Sequence, residues 1–371
     1  MNIVIIKTNT NFNDNKKLFG AMEKLGHNFV GFVALGKLND IAEVDGCNFY
    51  PVEYIHRLKF DLALIDKNVG DINNYIPALL HYKFPMHKVR TYLWLLQQLM
   101  ARKYENFADP FIQQTLAYWQ THDLSVFNQH YEGFPETFDE VHTDETNGLP
   151  YIIFKTVEGK ERKMYYPRDG SSQVTGRDGK KYVKNVLREQ VPTSPHLYVK
   201  GNHKVDEGDV LIDAGVCEGN FALRYADICS KIYLFEPEKK WFEPLYYSFK
   251  DCWDKVEFIP AFVSDTKGGG GQVTLDDVVN IPSGSKIFLK MDVEGAEPAA
   301  LRGAKKILST CKVKASVCSY HNSDDIIKIK SVFINHGYKI AVSEGYMVFI
   351  YDKNFWETSD FRKGIVYAEN C

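Results

Sequence analysis

Between residues 210 and 223 the chain reads VLIDAGVCEGNFAL: an apolar run, then Asp213, Gly215 and Gly219, then a helical pattern. Glycines at a strand-to-helix turn let the backbone approach a nucleoside closely. The loop departs from the GxGxxG spacing of dinucleotide sites. A carboxylate such as Asp213 facing the loop would repel a pyrophosphate, whereas it suits the ammonium group of a methionine moiety. The expected cofactor is therefore S-adenosylmethionine rather than NAD. Glu236 ends the next apolar segment, in LFEP, where a carboxylate can bind both ribose hydroxyls. Ser264 and Asp265 close a third segment, VEFIPAFVSD (256–265), and are expected beside the adenine.

Residues suited to catalysis follow. Asp292 ends KIFLKMD (286–292) and His321 ends VKASVCSYH (313–321), two segments that read as neighbouring strands. Methyl transfer to an alcohol is an in-line displacement, so positioning supplies much of the rate and a base assists the hydroxyl. His321 is the expected base, with Asp292 orienting it. Asp292, His321 and Asn322 also form a candidate site for a divalent cation, Mg²⁺ or Mn²⁺, that would polarise a substrate oxygen. Glu294 is balanced between substrate contact and helix start. Glu297 reads as structural, because acids complement a helix N-terminus and Pro298 suits a first turn.

The whole pattern points to a family. DAGVCEGNFAL, FEP, VTLDDVV, FLKMDVEGAEPAALRGA and SYH, in that order, resemble the FkbM-type methyltransferases over about residues 195–350. The resemblance implies a seven-stranded S-adenosylmethionine-dependent fold and O-methylation of sugar, glycoconjugate or secondary-metabolite hydroxyls. Its cofactor roles fall on Asp213, Gly215, Gly219 and Glu236. The rival readings are a nucleotide-sugar-modifying oxidoreductase that uses the N-terminal region, and an inactive methyltransferase-like binding or scaffold protein.

The elements that must position these residues are α/β throughout. From residue 209 five apolar strands alternate with helical patterns, and YKIAVSEG and YMVFIYD read as a closing antiparallel pair. This is a doubly wound sheet occupying 201–371. Upstream, residues 1–70 read as a degenerate Rossmann-like unit whose first loop, KTNTNFNDNKK, lacks glycine. Residues 71–130 read as helical and rich in aromatics, 131–150 as a linker, and 151–200 as a hairpin and cap region. Ten basic against five acidic residues between 151 and 190 suggest attraction to a phosphorylated acceptor, or a solvated face. The aromatic stretch suggests core or a homo-oligomer interface.

Length and charge bound the rest. With 371 residues, two or three domains are expected. A net charge of −3 gives no basic footprint for nucleic acid. There is no apolar run of about 20 residues to span a membrane and no signal-like start, so a cytoplasmic setting is expected. The seven cysteines are scattered and form no CxxC pair, which points to reduced thiols rather than a zinc knuckle.

Overall fold

The computed structural model describes residues 1–7, 16–35, 41–44, 46–66, 76–128, 140–168, 179–268 and 270–370. Two compact units divide them: Met1–Gln129 with Lys353–Asp360, and His130–Asp352 with Phe361–Cys371. The two N-terminal segments expected separately thus share one unit. The segment 201–371 is not continuous either, because eight of its residues belong to the first unit. Residues 8–15 of the glycine-free loop and 131–139 of the expected linker lie outside the described residues, and the rest of that linker carries the short strand His142–Thr143.

The first unit is built on a six-stranded sheet. Its strands are β1 (Asn2–Lys7), β2 (Asn28–Ala34), β3 (Ala42–Val44), β4 (Cys47–Pro51), β5 (Leu62–Ile65) and β6 (Val89–Thr91). They lie in the order β3-β4-β2-β1-β5-β6, parallel except for β3 against β4. Strand β1 is buried on both faces, Ile3 and Ile5 in one apolar cluster and Val4 and Ile6 in another, as a central parallel strand must be. Within the stretch expected to be helical, β6 joins the sheet and helices run over Leu93–Tyr104 and Pro110–Tyr118. Asp109 caps the second helix by accepting from the amides of Phe111 and Ile112, and Pro110 starts it. Tyr104 and Trp119 are core residues, whereas Phe107 is exposed.

The second unit opens with a small antiparallel sheet, β7 (His142–Thr143), β8 (Pro150–Lys155) and β9 (Glu161–Tyr165), the last two forming the expected hairpin. Its main sheet has seven strands: β10 (Val210–Ala214), β11 (Lys231–Phe235), β12 (Val256–Ile259), β15 (Lys286–Met291), β16 (Lys312–Cys318), β17 (Lys339–Val342) and β18 (Ile365–Glu369). The order is β12-β11-β10-β15-β16-β18-β17, with β18 antiparallel to both neighbours. The sheet is mixed. Between β12 and β15 a two-stranded ribbon pairs β13 (Phe262–Val263) with β14 (Gln272–Val273).

Two sequence expectations are corrected here. The segment 256–265 is not one strand: Pro260, which lacks an N–H, separates β12 from β13. The partner of β17 is β18, not YMVFIYD. β18 fills the place beside β16 because its alternating buried side chains, Val366 and Ala368, complete the core.

Strand alternation sorts the faces of the central strands. Ile287, Leu289 and Met291 point to the core shared with helices Glu297–Arg302, Lys305–Thr310 and Asp325–Asn335. Phe288 points the other way, against Phe221 of helix Asn220–Tyr225, with ring centroids 5.6 Å apart. Fully burying such a side chain contributes about 1.5–3 kcal/mol. Among the described residues, no helix is long and apolar enough to cross a membrane.

Three of the basic residues of 151–190 are paired within this unit. Arg162 pairs with Asp227 at 2.5 Å, Lys163 with Asp144 at 2.8 Å, and Arg168 with Glu243 at 2.5 Å.

His203 carries a pH signature. Its ring lies edge-on to Phe288 and Tyr367, with Nε2 3.0 Å from the Ser316 hydroxyl. Burial, with the Lys314 charge second, lowers its pKa to about 4. The unfolded chain therefore binds a proton below about pH 6.5 that the folded chain refuses down to about pH 4. Stability is expected to fall over that interval. Urea titrations at stepped pH should show His203→Gln losing less stability there than the wild type.

Candidate active site

The turn after β10 is shaped by packing. Gly215 has φ +79°, and a Cβ there would sit 1.7 Å from the Asp292 carbonyl oxygen. Gly219 has φ +77°, and its Cβ would meet Leu245 at 2.8 Å and Phe249 at 3.0 Å. Cys217, between them, also has positive φ, at +46°. The amides of Gly215 and Val216 both donate to the Phe235 carbonyl, which draws the turn toward the end of β11.

Glu236, just past β11, is buried. Its Oε2 accepts from the Cys217 amide at 2.9 Å and its Oε1 from the Glu238 amide at 2.8 Å. A carboxylate has about four acceptor positions, so Glu236 can still take hydroxyls while it pins the turn. Burial raises its pKa. This donor and acceptor set suits a nucleoside ribose.

Asp213 is differently engaged from the expectation. It lies beside Lys290 in the β10–β15 register, and the two charges pair at 3.0 Å, both almost fully buried. Lys290 also donates to the Gly215 carbonyl. Burial pulls the Lys290 pKa down, but Asp213 and Asp292 outweigh it and the ammonium stays protonated. The internal ammonium thus already occupies the place beside Asp213 that the sequence reading reserved for the cofactor's.

Ser264 and Asp265 follow the ribbon strand β13, not the sheet strand β12. The Ser264 amide donates to Val273, its carbonyl packs on Gly303, and Asp265 accepts from Arg302 at 2.8 and 3.0 Å. The tip of β12 is instead Ile259, whose carbonyl accepts from the Glu236 amide.

Beyond β15 and β16 the structure gathers a charged cluster. His321 is 3% exposed and its Nδ1 lies 3.0 Å from Oε1 of Glu297, a side chain 0% exposed. That Glu297 oxygen also accepts from the Val293 amide at 2.9 Å. His321 Nε2 faces Asp292 Oδ1 and Glu294 Oε2, each at 3.5 Å. Burial opposes a charge on His321, but the Glu297 hydrogen bond and the three carboxylates raise its pKa to about 9. Asp292 is half-buried, with its side chain 20% exposed, and the loss of hydration would raise it, yet His196, His321 and Lys290 hold it well below the usual carboxylate range.

Sequence reasoning missed the partner and the brace of this histidine. Glu297 looked like a helix-start acid, and only the tertiary fold turns it inward. Arg362, from beyond β17, donates Nη1 to the carbonyls of Tyr320 and His321, both at 2.9 Å, and is itself held by Asp352 at 2.6 Å. Asp276 of the TLDD segment caps helix Lys305–Thr310 through the amides of Lys306 and Ile307.

Asn322 lies outside this cluster: its side-chain nitrogen and its backbone amide both donate to Asp325. In the expected Asp292–His321–Asn322 cation site Asn322 would have only its Oδ1 to offer, since its Nδ2 is held by Asp325. Asp292, His321 and Glu297 form a second set, with ligand atoms of the three residues within 4.8 Å of one another. This set does not suit Mg²⁺, which keeps several waters and prefers oxygen ligands.

Residues 271–340 match the family described as the methyltransferase FkbM domain. Residues 271–340 thus carry an FkbM-type methyltransferase domain pattern. The matched span runs through the TLDD segment, β15, Glu297 and His321. The chain is similar to the crystal structure of methyltransferase FkbM from Methylobacillus flagellatus KT, at 13% identity over 99% of this chain and 89% of that one, with a TM-score of 0.42. It is also similar to precorrin-6y C5,15-methyltransferase from Geobacter metallireducens GS-15, at 15% identity over 45% of this chain and 84% of that one, TM-score 0.30. An rRNA methylase from Streptococcus thermophilus shares 14% identity over 45% of this chain and 89% of its own, TM-score 0.29. No curated protein matches the chain.

Gly215 offers a direct test of the turn. An alanine there combines a left-handed φ, costing about 1–3 kcal/mol, with a clash against the Asp292 carbonyl. Gly215→Ala is expected to lower the unfolding free energy by more than about 2 kcal/mol in urea denaturation. A neutral effect would mean that the turn and Asp292 are not in contact.

Proposed function

We propose that this methyltransferase uses S-adenosylmethionine and methylates a hydroxyl of a sugar, glycoconjugate or secondary metabolite. The observation that carries the reading is the His321–Glu297 pair, buried beside Asp292 at the sheet edge that also holds the glycine turn. S-adenosylmethionine, when bound, supplies an electrophilic methyl group. The chain's own residues do the rest. Glu236 accepts hydroxyls of the ribose while anchoring Cys217. Gly215 and Gly219 bring the backbone of the turn close, and the Lys290–Asp213 pair fixes its height relative to β15.

His321 Nε2 accepts the proton of the acceptor hydroxyl in its neutral form, so turnover is expected to rise with pH toward about 9, where the imidazolium gives up its proton. Glu297 holds Nδ1–H, which fixes the tautomer and stabilises the imidazolium as it forms. Asp292 lies 3.5 Å from the same ring nitrogen and favours the same charge. Glu294, whose side chain is 84% exposed, is the member of the cluster open to an incoming acceptor. A polyhydroxylated acceptor suits a rim of this kind, where a flexible carboxylate can take a second hydroxyl.

Cofactor choice is tested by thermal shift. S-adenosylhomocysteine should raise the melting temperature by preferential binding to the folded chain, and Glu236→Ala should remove most of the rise. Stabilisation by NADH in its place would reverse the assignment in favour of an oxidoreductase.

Proton transfer is tested by kinetics with a hydroxylated acceptor. His321→Ala is expected to cut turnover by about 10²–10⁴-fold while S-adenosylhomocysteine affinity holds. Glu297→Gln should act in the same direction, since a glutamine oxygen can still accept from Val293 but carries no charge to stabilise the imidazolium. Full activity in both variants would leave positioning alone as the mechanism.

A further inference from the structure

Asp292 has a second face. Its Oδ1 turns to His321, but its Oδ2 turns to a separate group of buried side chains. His196 Nε2 lies 3.4 Å from Asp292 Oδ2 and 3.3 Å from Cys318 Sγ. The Tyr198 hydroxyl is 2.8 Å from the same Asp292 oxygen, 3.4 Å from His196 Nε2 and 3.9 Å from Cys318 Sγ. His196 and Cys318 are almost fully buried, at 1% and 0% exposure.

These separations have a meaning for metal chemistry. Zinc binds imidazole nitrogen and carboxylate oxygen at about 2.0–2.2 Å and thiolate sulfur at about 2.3 Å, in a tetrahedron. Ligand atoms of one tetrahedral ion therefore stand about 3.3–3.7 Å apart. The contacts of His196 Nε2 with Cys318 Sγ and Asp292 Oδ2 fit that range. We propose that His196, Asp292 and Cys318 bind a zinc-type divalent ion, with the fourth corner left to a solvent or acceptor oxygen and the Tyr198 hydroxyl donating to the Asp292 carboxylate.

Three further features agree with this assignment. A nitrogen, a sulfur and an oxygen are the mixed donor set that selects zinc over magnesium or calcium. One thiolate and one carboxylate balance the two charges of the ion, so the filled site is neutral, as a buried site should be. Glu189 Oε2 lies 3.5 Å from His196 Nδ1, where a carboxylate orients a ligating histidine. The thiol proton leaves to solvent when the ion binds.

The site is separate from the His321–Glu297 pair except for Asp292, and it does not depend on the reaction catalysed. An ion on Oδ2 leaves Oδ1 facing His321. Zinc would thereby fix the carboxylate that borders the base, while its fourth corner is left for an acceptor oxygen.

Cobalt substitution in the full chain provides the test. After chelator treatment, Co²⁺ should bind at one equivalent per chain and give the near-ultraviolet charge-transfer band of a thiolate ligand. Cys318→Ser should abolish that band, His196→Gln should lower the occupancy, and His321→Ala should leave both unchanged. X-ray absorption on the zinc-loaded wild-type chain guards against a misfolded variant. One sulfur at about 2.3 Å with nitrogen and oxygen at about 2.0 Å is expected. A shell without sulfur, a band that survives Cys318→Ser, or no stoichiometric binding would overturn the proposal.

Discussion

The ion pair between Lys290 and Asp213 is the constraint on which the second unit turns. It joins the two central strands of the seven-stranded sheet where almost no water reaches it. Removing one member of such a pair strands the other charge, at a cost of about 3–5 kcal/mol. The same ammonium holds the Gly215 carbonyl, so the height of the glycine turn over the sheet is set by a charge rather than by the loop's own sequence. Asp292 then follows from the turn, because the Gly215 backbone lies directly against its carbonyl.

Around that pair the charges alternate. Lys290 is positive, Asp292 negative, His321 drawn positive, and Glu297 sealed beneath it. Each is expensive to bury alone and tolerable because of its neighbour. The acids keep His321 basic, and the cations keep Asp292 ionised. Arg362 fixes the turn that carries His321 from a part of the chain forty residues away in sequence, so the histidine's position is decided by β18 and its preceding loop as much as by β16. An interior of this kind is arranged for function at some expense in stability, and the apolar cluster on the opposite face of β15 supplies the compensation.

The glycines illustrate how one pattern can serve two purposes. Their spacing suggested close approach of a nucleoside. In the folded chain Gly215 and Gly219 are also required by what already touches them, the Asp292 carbonyl on one side and Leu245 and Phe249 on the other. Both demands exclude a side chain, so the sequence pattern alone does not separate them. Ser264 and Asp265 show the opposite case. Their position at the end of an apolar run looked like a strand tip, but Pro260 ends the strand early and a ribbon carries them to Arg302.

The sequence by itself determined the α/β character, the strands that end at Asp213, Glu236 and Asp292, and the resemblance that the matched segment 271–340 bears out. These are local properties: apolar runs, turn glycines and caps are read within a few residues of one another. What only the tertiary structure decided is which side chains meet. The antiparallel entry of β18 between β16 and β17, the burial of Glu297 under His321 and the grip of Arg362 all join residues far apart in the chain. The cysteines make the point most sharply. With no CxxC spacing they read as inert thiols, yet the fold sets Cys318 3.3 Å from His196, a residue 122 positions earlier. Spacing along the chain reports only ligands that share a loop, whereas the ends of neighbouring strands bring together residues that no short motif records.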